Sequence, residues 1–474
     1  MNNQSSTTYR EIVECIEKKA AEGQWSAGRK LPPQRELAAA FGVNRSTVIH
    51  ALDVLKEKGI VESKTGSGTY ISNHDPSNVS KSFVNWNDFS KYSLHPTNHD
   101  IVRKINKLEL DDSIIQLGKG ELHEELFPKR LFNDSLRSLE TTYNHYGYDD
   151  GTGDYRYRKA VSSYLKERGI ASSPDTILSV SGALQALQLI TLGLLQMGAT
   201  VYTPQISYVH SLHVFRTSGM KLKSIPFKRQ RLDTDYLRDD LYRNKGSSML
   251  YINPTFQNPV TTTLDGNSRK ELVKLSQEYK MPVIEDDIFR DLWIDHEPQP
   301  PIASLDHSGH TLFIGSFSKT MAPTLRIGWM TGPADVMEKL SDLRMQLDYG
   351  TSFLPQLAMY DFLETGRYDE HLKTLRKELR DRRDTLVYLL EKHIADAATW
   401  EIPAGGMFIW VRFSDDINVR RLFSSLVDRG VLINPGFIYS YYHNQYVRLS
   451  FTSSSLEEME YGVKVMREVL DHLK

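Results

Sequence analysis

From Ile114 to the C-terminus, short apolar runs alternate with longer segments of helical periodicity. This alternation is typical of a largely parallel β-sheet covered by helices on both faces. In such sheets ligands bind at the carboxyl ends of the strands, so we expect functional residues just after the apolar runs. The predicted strands are Thr176–Val180, Thr200–Thr203, Met249–Ile252, Pro282–Ile284 and Thr311–Ile314, and the predicted helices include Ala183–Leu195 and Arg269–Tyr279.

A lysine, Lys319, follows the last of these predicted strands in the stretch SFSKT, with Arg326 and Gly328 further on. A lysine among hydroxyls and near an arginine is the arrangement of a Schiff-base lysine beside a phosphate site. Taken alone, however, the stretch favours the simpler interpretation, an exposed loop lysine near a structural arginine. The residues at the other strand ends distinguish between these two interpretations of Lys319.

Three other strand ends carry groups that suit the same chemistry. Residues 181–186 lead from a strand into a helix through small residues, and the N–H groups at such a helix start can bind phosphate. Asn258 lies in a turn after another predicted strand. Asp286 directly follows an apolar run; a carboxylate there is more often structural, but it is also the partner that a protonated ring nitrogen requires.

The N-terminal residues follow a different pattern. Helical periodicity runs from Tyr9 to Glu22, and a second helix is expected after the two prolines that precede Gln34. Gly42 supplies a tight turn, and Asn44 is positioned to cap a third helix whose first residues could enter the major groove. Residues 60–71 alternate around a Gly-Ser-Gly tip and predict a two-stranded hairpin. A three-helix domain that binds only other proteins is the alternative.

Composition limits the remaining possibilities. With 474 residues, 40% hydrophobic and 25% charged, the chain is typical of a globular protein of two or three domains. Its single cysteine, Cys15, excludes an internal disulfide and a cysteine-based metal cluster, and we predict no metal site. No apolar run approaches the roughly 18 residues of a membrane span, and the polar N-terminus lacks a signal-peptide core. We therefore expect a cytoplasmic protein without membrane contact.

Residues 73–112 follow neither periodicity, are rich in Ser, Asn, Asp and His, and contain Pro76 and Pro96 as breakers. We interpret them as a partly ordered connector, long enough to let the N-terminal part reach across to a partner subunit. The predicted organisation is a DNA-binding domain at 1–72, a linker at 73–112 and a ligand-binding domain at 113–474. Residues 1–72 carry 10 Lys+Arg against 8 Asp+Glu, so the DNA-binding interpretation rests on pattern more than on charge.

The run LPPQRELAAAFGVNRSTVIHALDVLKEKGIVESKTGSGTYIS closely resembles the winged helix-turn-helix of the GntR family. The resemblance implies a mainly α-helical DNA-binding domain with a β-wing. It also implies a set of residues that contact operator DNA, among which Arg45 and Lys64 would mostly hold phosphates. The full set is Arg35, Arg45, Ser46, Thr47, Lys64 and Gly66.

The small-residue turn, Asn258-Pro259, Asp286, Ser316-x-Ser318-Lys319 and Arg326, taken in order, resemble the class I/II aminotransferases of fold-type I, which use pyridoxal 5′-phosphate (PLP). The resemblance covers roughly Ile114 to the C-terminus. It implies a large domain with a parallel-rich sheet, followed by a small C-terminal α/β subdomain. It also implies a homodimer with shared sites, for which domain swapping is one option.

The same resemblance assigns roles residue by residue. Lys319 would form the Schiff base, Asp286 would pair with the pyridine nitrogen, Asn258 would hydrogen-bond the ring 3′-oxygen, and Tyr208 would stack on the ring. Arg448 would clamp the carboxylate of an amino acid. The phosphate would be held by Gly182, Ala183, Leu184, Ser316, Ser318 and Arg326, with Tyr148 reaching the neighbouring subunit's phosphate.

Two departures from the family pattern bear on activity. Ile288 and Phe289 stand where the family usually has a tyrosine whose hydroxyl meets the 3′-oxygen, and Leu184 stands where many relatives have Gln. The missing phenol should change the pKa of the bound cofactor and put efficient transamination in doubt.

A GntR-type domain joined to an aminotransferase-like domain is the layout of the MocR/GabR subfamily of bacterial transcription regulators. Our main hypothesis is a regulator in which an amino compound, or PLP itself, is sensed at Lys319 and modulates operator binding. The alternative is a working PLP-dependent aminotransferase with an accessory DNA-binding domain. The operator, the effector and the direction of regulation stay open.

Overall fold

The computed structural model describes residues 9–21, 24–26, 28–64, 67–72, 100–139, 147, 150–228, 231–440 and 442–473. The chain forms two compact units, Met1–Pro96 and Thr97–Lys474. Among the described helices, none has both the length and the apolar content that crossing a membrane requires.

The first unit is a three-helix domain with a β-hairpin. Gly42, at φ 64°, makes the turn between the second and third helices. The Asn44 side chain accepts a hydrogen bond from the Thr47 N–H, which confirms the predicted cap. In the hairpin Val61 pairs with Ile71, and both side chains are buried in the core of the unit. The elements are α1 (Tyr9–Ala21), α2 (Gln34–Phe41), α3 (Arg45–Glu57), β1 (Val61–Lys64) and β2 (Gly68–Ile71).

The second unit is built on a sheet that, in the described part of the chain, has seven strands in the order β4-β12-β11-β10-β9-β5-β6. All run parallel except β12, which pairs antiparallel with both of its neighbours. The five predicted strands are present, with ends that differ by a residue or two. The strands are β4 (Ile177–Val180), β5 (Thr200–Pro204), β6 (Lys221–Ile225), β9 (Ser248–Ile252), β10 (Val283–Asp286), β11 (Thr311–Ser316) and β12 (Gly328–Thr331).

Helices cover both faces of this sheet. Because both faces are buried, the sequences of the strands are continuous apolar runs. All residues of β4, β10, β11 and β12 are buried. The helices of this part are α5 (Lys129–Leu139), α6 (Tyr155–Glu167), α7 (Ala183–Gly193), α8 (Val214–Thr217), α9 (Thr234–Arg243), α10 (Gly266–Tyr279), α11 (Ile302–Leu305) and α12 (Ala334–Leu347). Two short strands, β7 (Phe227–Lys228) and β8 (Arg231–Leu232), pair with each other.

A second, antiparallel sheet in the order β13-β14-β17-β16 forms the predicted small C-terminal subdomain. Its elements are α13 (Phe353–Glu364), α14 (Arg367–Ile394), β13 (Ala398–Trp400), β14 (Phe408–Phe413), α15 (Val419–Asp428), β15 (Val431–Leu432), β16 (Asn434–Pro435), β17 (Tyr446–Ser450) and α16 (Leu456–Leu473). A separate pair joins β15 to β3 (Ile115–Gln116).

One segment of the predicted connector is a regular helix, α4 (Asp100–Leu108), and belongs to the second unit. The expectation that residues 73–112 lack helical periodicity is wrong for this segment. Ile105 is 3% exposed and Ile101 and Leu108 pack against the same core, a spacing of three to four residues that buries one face of a helix. Residues 73–99 lie outside the described part of the chain.

Candidate functional site

A cavity of about 360 Å³ opens in the second unit where the strands of the large sheet end. The residues that line it come from five places: α4, the segment 119–121, the strand ends of the large sheet, the loop after β11, and the small subdomain. Of the residues predicted to bind the cofactor or the effector, it is lined by Gly182, Ala183, Leu184, Tyr208, Asn258, Asp286, Ser316, Ser318, Lys319, Arg326 and Arg448.

Lys319 lies at the end of a short 3₁₀ turn that follows β11 directly. Its Nζ donates a hydrogen bond to the Gly120 carbonyl oxygen at 2.7 Å, so the amine points into the cavity. Burial lowers the pKa of this amine to about 8, against a lysine value of 10.5. At pH 7 about a tenth of the amine is therefore unprotonated, far more than for an ordinary lysine, and this is the nucleophilic form that Schiff-base formation requires.

Asp286 ends β10, the strand beside β11, and is 5% exposed. Its Oδ2 accepts a hydrogen bond from the Tyr251 hydroxyl at 2.6 Å. Its Oδ1 is buried and has no hydrogen-bond partner among the described residues. Burial raises the pKa of the carboxyl to about 6, while the Tyr251 hydroxyl acts in the opposite direction. A buried carboxylate oxygen that lacks a donor suits a protonated ring nitrogen.

Arg448 and Asn258 meet in the cavity although they lie far apart in the sequence. Arg448 Nη1 donates to Asn258 Oδ1 at 2.8 Å, and Nη2 donates to the Gly118 carbonyl oxygen at 2.6 Å. The guanidinium lies 4.0 Å from the ring centroid of Phe408, so an aromatic face also fixes its orientation. Tyr208 is 41% exposed, and its N–H donates to the Asn258 carbonyl oxygen at 3.1 Å.

Several of the residues that we predict to bind phosphate lie at the start of α7. Gly182 caps this helix at φ 98°, a backbone conformation that favours glycine. A Cβ at this position would come within 3.2 Å of Arg326 Nη2, which donates to the Ser181 carbonyl oxygen at 2.6 Å. Glycine thus lets the guanidinium approach the helix N-terminus, where the helix dipole and the N–H groups also attract an anion.

The antiparallel return of the chain explains how the hydroxyls and the arginine share this site. β11 and β12 form a hairpin; Ser316 is the last residue of β11, and the loop that follows carries Ser318 near its start and Arg326 near its end. The Ser316 Oγ donates to the Ser318 Oγ at 3.1 Å, and both serines are more than nine-tenths buried. Leu184 is 42% exposed in the first turn of α7 and offers no polar group.

Ile288 and Phe289 both line the cavity, and neither brings a hydroxyl to it. Phe289 is 2% exposed and packs edge-on against Phe408, with ring centroids 6.2 Å apart. The position that carries the tyrosine in the family is therefore part of the apolar packing here.

Taken together, these groups fit PLP: a nucleophilic lysine, a buried carboxylate oxygen without a donor, and a glycine-lined helix start beside an arginine. The cavity also contains residues that the sequence did not single out. Tyr251 supplies the only described side-chain donor to Asp286. Glu109, just after α4, adds a carboxylate. Nothing in the sequence marked either residue: Tyr251 lies in an apolar strand, and Glu109 lies in the predicted connector.

The predicted DNA-binding residues lie on the first unit. Arg45 and Ser46 are exposed at the start of α3, and Arg45 Nε donates to Gln34 Oε1 at 3.0 Å. The hydroxyls of Ser46 and Thr47 both donate to Asn44 Oδ1 at 2.7 Å, so they also serve the helix cap. Two further predicted residues, Arg35 on α2 and Lys64 at the end of β1, are exposed. Gly66 and Tyr148 lie outside the described residues.

Residues 112–466 match the aminotransferase class I and II family. The fold is similar to that of kynurenine aminotransferase from Pyrococcus horikoshii in complex with PMP, with a TM-score of 0.75 and 28% identity over 82% of this chain and 98% of that one. It is also similar to the multiple substrate aminotransferase of Thermococcus profundus, with a TM-score of 0.76 and 27% identity over 82% and 99% of the two chains. The second unit is thus an aminotransferase-type, PLP-binding fold.

The relatives of the whole chain narrow this class. Residues 8–71 match the gntR family of bacterial regulatory proteins. The chain is 41% identical to the HTH-type transcriptional regulator YdfD of Bacillus subtilis, over 96% of this chain and 94% of that protein. It is 36% identical to the HTH-type transcriptional regulator NorG of Staphylococcus aureus, over 92% and 98% of the two chains. The chain belongs to the family of HTH-type regulators that join a GntR domain to an aminotransferase class I and II domain.

Proposed function

We propose that this protein is a PLP-binding transcription regulator, in which an amino compound or PLP itself, sensed at Lys319, modulates operator binding. The observation that carries the proposal is the presence, in one chain, of an exposed recognition-type helix start and a cavity with a low-pKa lysine. Regulators similar to it over nearly its whole length support the DNA-binding role.

When bound, PLP supplies an aldehyde, an electron-withdrawing ring and a visible absorbance. The protein's own residues would bind and orient it. Lys319 would offer the amine that condenses with the aldehyde, with loss of water, and Asp286 would hold a proton on the ring nitrogen. Asn258 and Tyr208 would hold the ring, and Arg448 would bind a ligand carboxylate. The phosphate contacts are Gly182, Ala183, Leu184, Ser316, Ser318 and Arg326.

On the DNA side, we propose that α3 enters the major groove with its N-terminal end. Arg45 and Ser46 are exposed there, Arg45 and Lys64 would mostly hold DNA phosphates, and Arg35 would also contact the DNA. The regulator would act as a homodimer in the cytoplasm, with Tyr148 reaching the phosphate site of the partner subunit. Domain swapping through the connector is one arrangement of that dimer.

A working aminotransferase is the second candidate, because Lys319, Asp286 and Arg448 line the same cavity. Against it stands the absence of a hydroxyl at Ile288 and Phe289. The two functions differ in turnover. Enzymes of this kind typically work at the order of 10 per second, so multiple turnovers with an amino acid and a keto acid near that rate would favour the enzyme.

The proposal is tested by following operator binding and cofactor absorbance in the same samples. The operator fragment is selected from genomic DNA with the wild-type protein. Arg45→Ala should abolish specific binding and leave the absorbance intact, whereas Lys319→Ala should remove the lysine-linked absorbance and the response of DNA binding to amino compounds or PLP.

Lys58→Ala, which changes a cation at the opposite end of the same helix, is the matched control and should keep specific binding. Two results would contradict the proposal: unchanged operator binding by Arg45→Ala, and an unchanged absorbance in Lys319→Ala.

A further inference from the structure

Helix α4 turns one face toward the cofactor cavity. Val102, Ile105 and Asn106 line the cavity from this helix, and Glu109 follows one turn later. The Glu109 N–H donates to the Ile105 carbonyl oxygen at 2.8 Å, so the helical hydrogen-bond pattern continues to Glu109. Its side chain therefore lies on the same face as the other three, and it belongs to the wall of the cavity.

The Glu109 carboxyl is partly shielded from water, and the nearby cations act on it only through the electric field. Burial raises the pKa of the Glu109 carboxyl, while Arg448, Lys119 and the side chain of Asn434 lower it. The effect of burial is the largest of these, so the pKa of the Glu109 carboxyl lies above its ordinary value. The carboxylate is thus held in the cavity without full compensation for the water that it has lost.

The other charged groups of the cavity have partners or assigned tasks. Lys119 Nζ lies 3.0 Å from the Glu121 carboxylate, so these two charges neutralise each other. Arg448 is assigned to the ligand carboxylate, and the aldehyde of PLP, held beside Lys319, to the ligand amino group. Within the described ranges, Glu109 forms no ion pair. A bound amino acid would therefore leave one carboxylate, Glu109, without a positive partner.

We propose that the ligand of this cavity is an amino acid with a second cationic group, and that Glu109 binds that group. The inference rests on the proposed function, because it takes Arg448 as the contact of the ligand carboxylate and PLP at Lys319 as the partner of the ligand amino group. An ammonium or guanidinium group would supply the positive charge and the N–H donors that Glu109 lacks. A ligand with a neutral side chain would leave the charge of the Glu109 carboxylate without a partner. A ligand with an anionic side chain would be repelled by that carboxylate in a site of low dielectric.

The test uses the full-length, PLP-loaded protein and five probes. L-Ornithine, L-lysine and L-arginine carry the second cation, L-norleucine replaces the ornithine ammonium with a methyl group, and L-glutamate carries an anion. Dissociation constants are measured by calorimetry and by the change in cofactor absorbance. We expect at least one cationic probe to bind about tenfold or more tightly than norleucine and glutamate, a modest value for one partly buried charge pair.

Glu109→Gln should reduce that preference to about threefold or less without weakening norleucine. Glu124→Gln makes the same change at an exposed position outside the cavity and should keep the preference. The inference is overturned if norleucine or glutamate binds most tightly to the wild type, if no probe binds, or if Glu109→Gln retains the preference. If the inference fails but the wild-type protein still shows normal cofactor absorbance and operator binding, the proposed function is unaffected. If the wild-type protein shows neither, the proposed function itself is overturned.

Discussion

Replacing Tyr251 with phenylalanine tests the assignment of Asp286 as the partner of the cofactor's ring nitrogen. The Tyr251 hydroxyl donates to Asp286 Oδ2 at 2.6 Å, and Oδ1 has no partner among the described residues. The substitution keeps the ring, which packs edge-on against Phe215 with centroids 5.9 Å apart. Only the hydroxyl is lost, so the change acts on the carboxylate with little effect on packing.

The magnitude follows from the strength of that hydrogen bond. It stabilises the ionised carboxylate, so its loss raises the pKa of Asp286 above the present value of about 6. A hydrogen bond to a charged group contributes about 1.5–3 kcal/mol, or about one to two pKa units, which moves the value to about 7–8. If only ionised Asp286 holds the protonated ring, the affinity for PLP should fall about 3- to 25-fold at pH 6.5 and less than about 1.5-fold at pH 8.5.

The assay is a PLP titration of cofactor-free, full-length protein between pH 6.5 and 8.5. Tyr202→Phe is the matched control, because the Tyr202 hydroxyl donates to Asp240 Oδ2 at the same 2.6 Å but lies outside the cavity. It should bind PLP like the wild type at every pH. A loss in Tyr251→Phe that does not vary with pH, or that Tyr202→Phe shares, would refute the reasoning.

Three further outcomes are expected. Gly182→Ala should weaken PLP and inorganic phosphate binding about tenfold or more, since the methyl group is strained at φ 98° and meets Arg326, and phosphate affinity equal to wild type would contradict this. Phe289→Tyr should lower the pKa of the cofactor's visible absorbance transition by about one unit through a hydrogen bond to the 3′-oxygen, which a pH titration of the spectrum would detect. Leu55→Ala, at a fully buried position in the first unit, should destabilise that unit by about 2–5 kcal/mol in denaturant unfolding while leaving PLP affinity unchanged.

The groups at strand ends were predictable because chain order and sheet order are closely linked in a parallel sheet. Lys319 and Asp286 follow adjacent strands, so apolar runs in the sequence were enough to bring them to one edge. The cap at Asn44 was predictable for a similar reason, since it depends only on residues within one turn. Such local relations are the ones that a single sequence records.

Contacts between distant segments were harder to predict. The hydrogen bond from Arg448 to Asn258 joins residues 190 positions apart and depends on how the small subdomain packs, so the sequence did not predict it. Tyr251 lies in an apolar strand, and only the structure places its hydroxyl beside Asp286. Helix α4 was missed because charged residues interrupt its apolar positions and only Ile105 is fully buried.

Helix α4 also determines how regulators of this family could be recombined. The match to the aminotransferase family begins at residue 112, after the helix, whereas the compact unit begins at Thr97. A chimera joined at residue 112 would take Val102, Ile105 and Glu109 from the donor of the DNA-binding part, and with them one wall of the cavity. A junction between residues 72 and 97 would exchange operator choice alone, so that each parent's ligand preference stays with its own cavity.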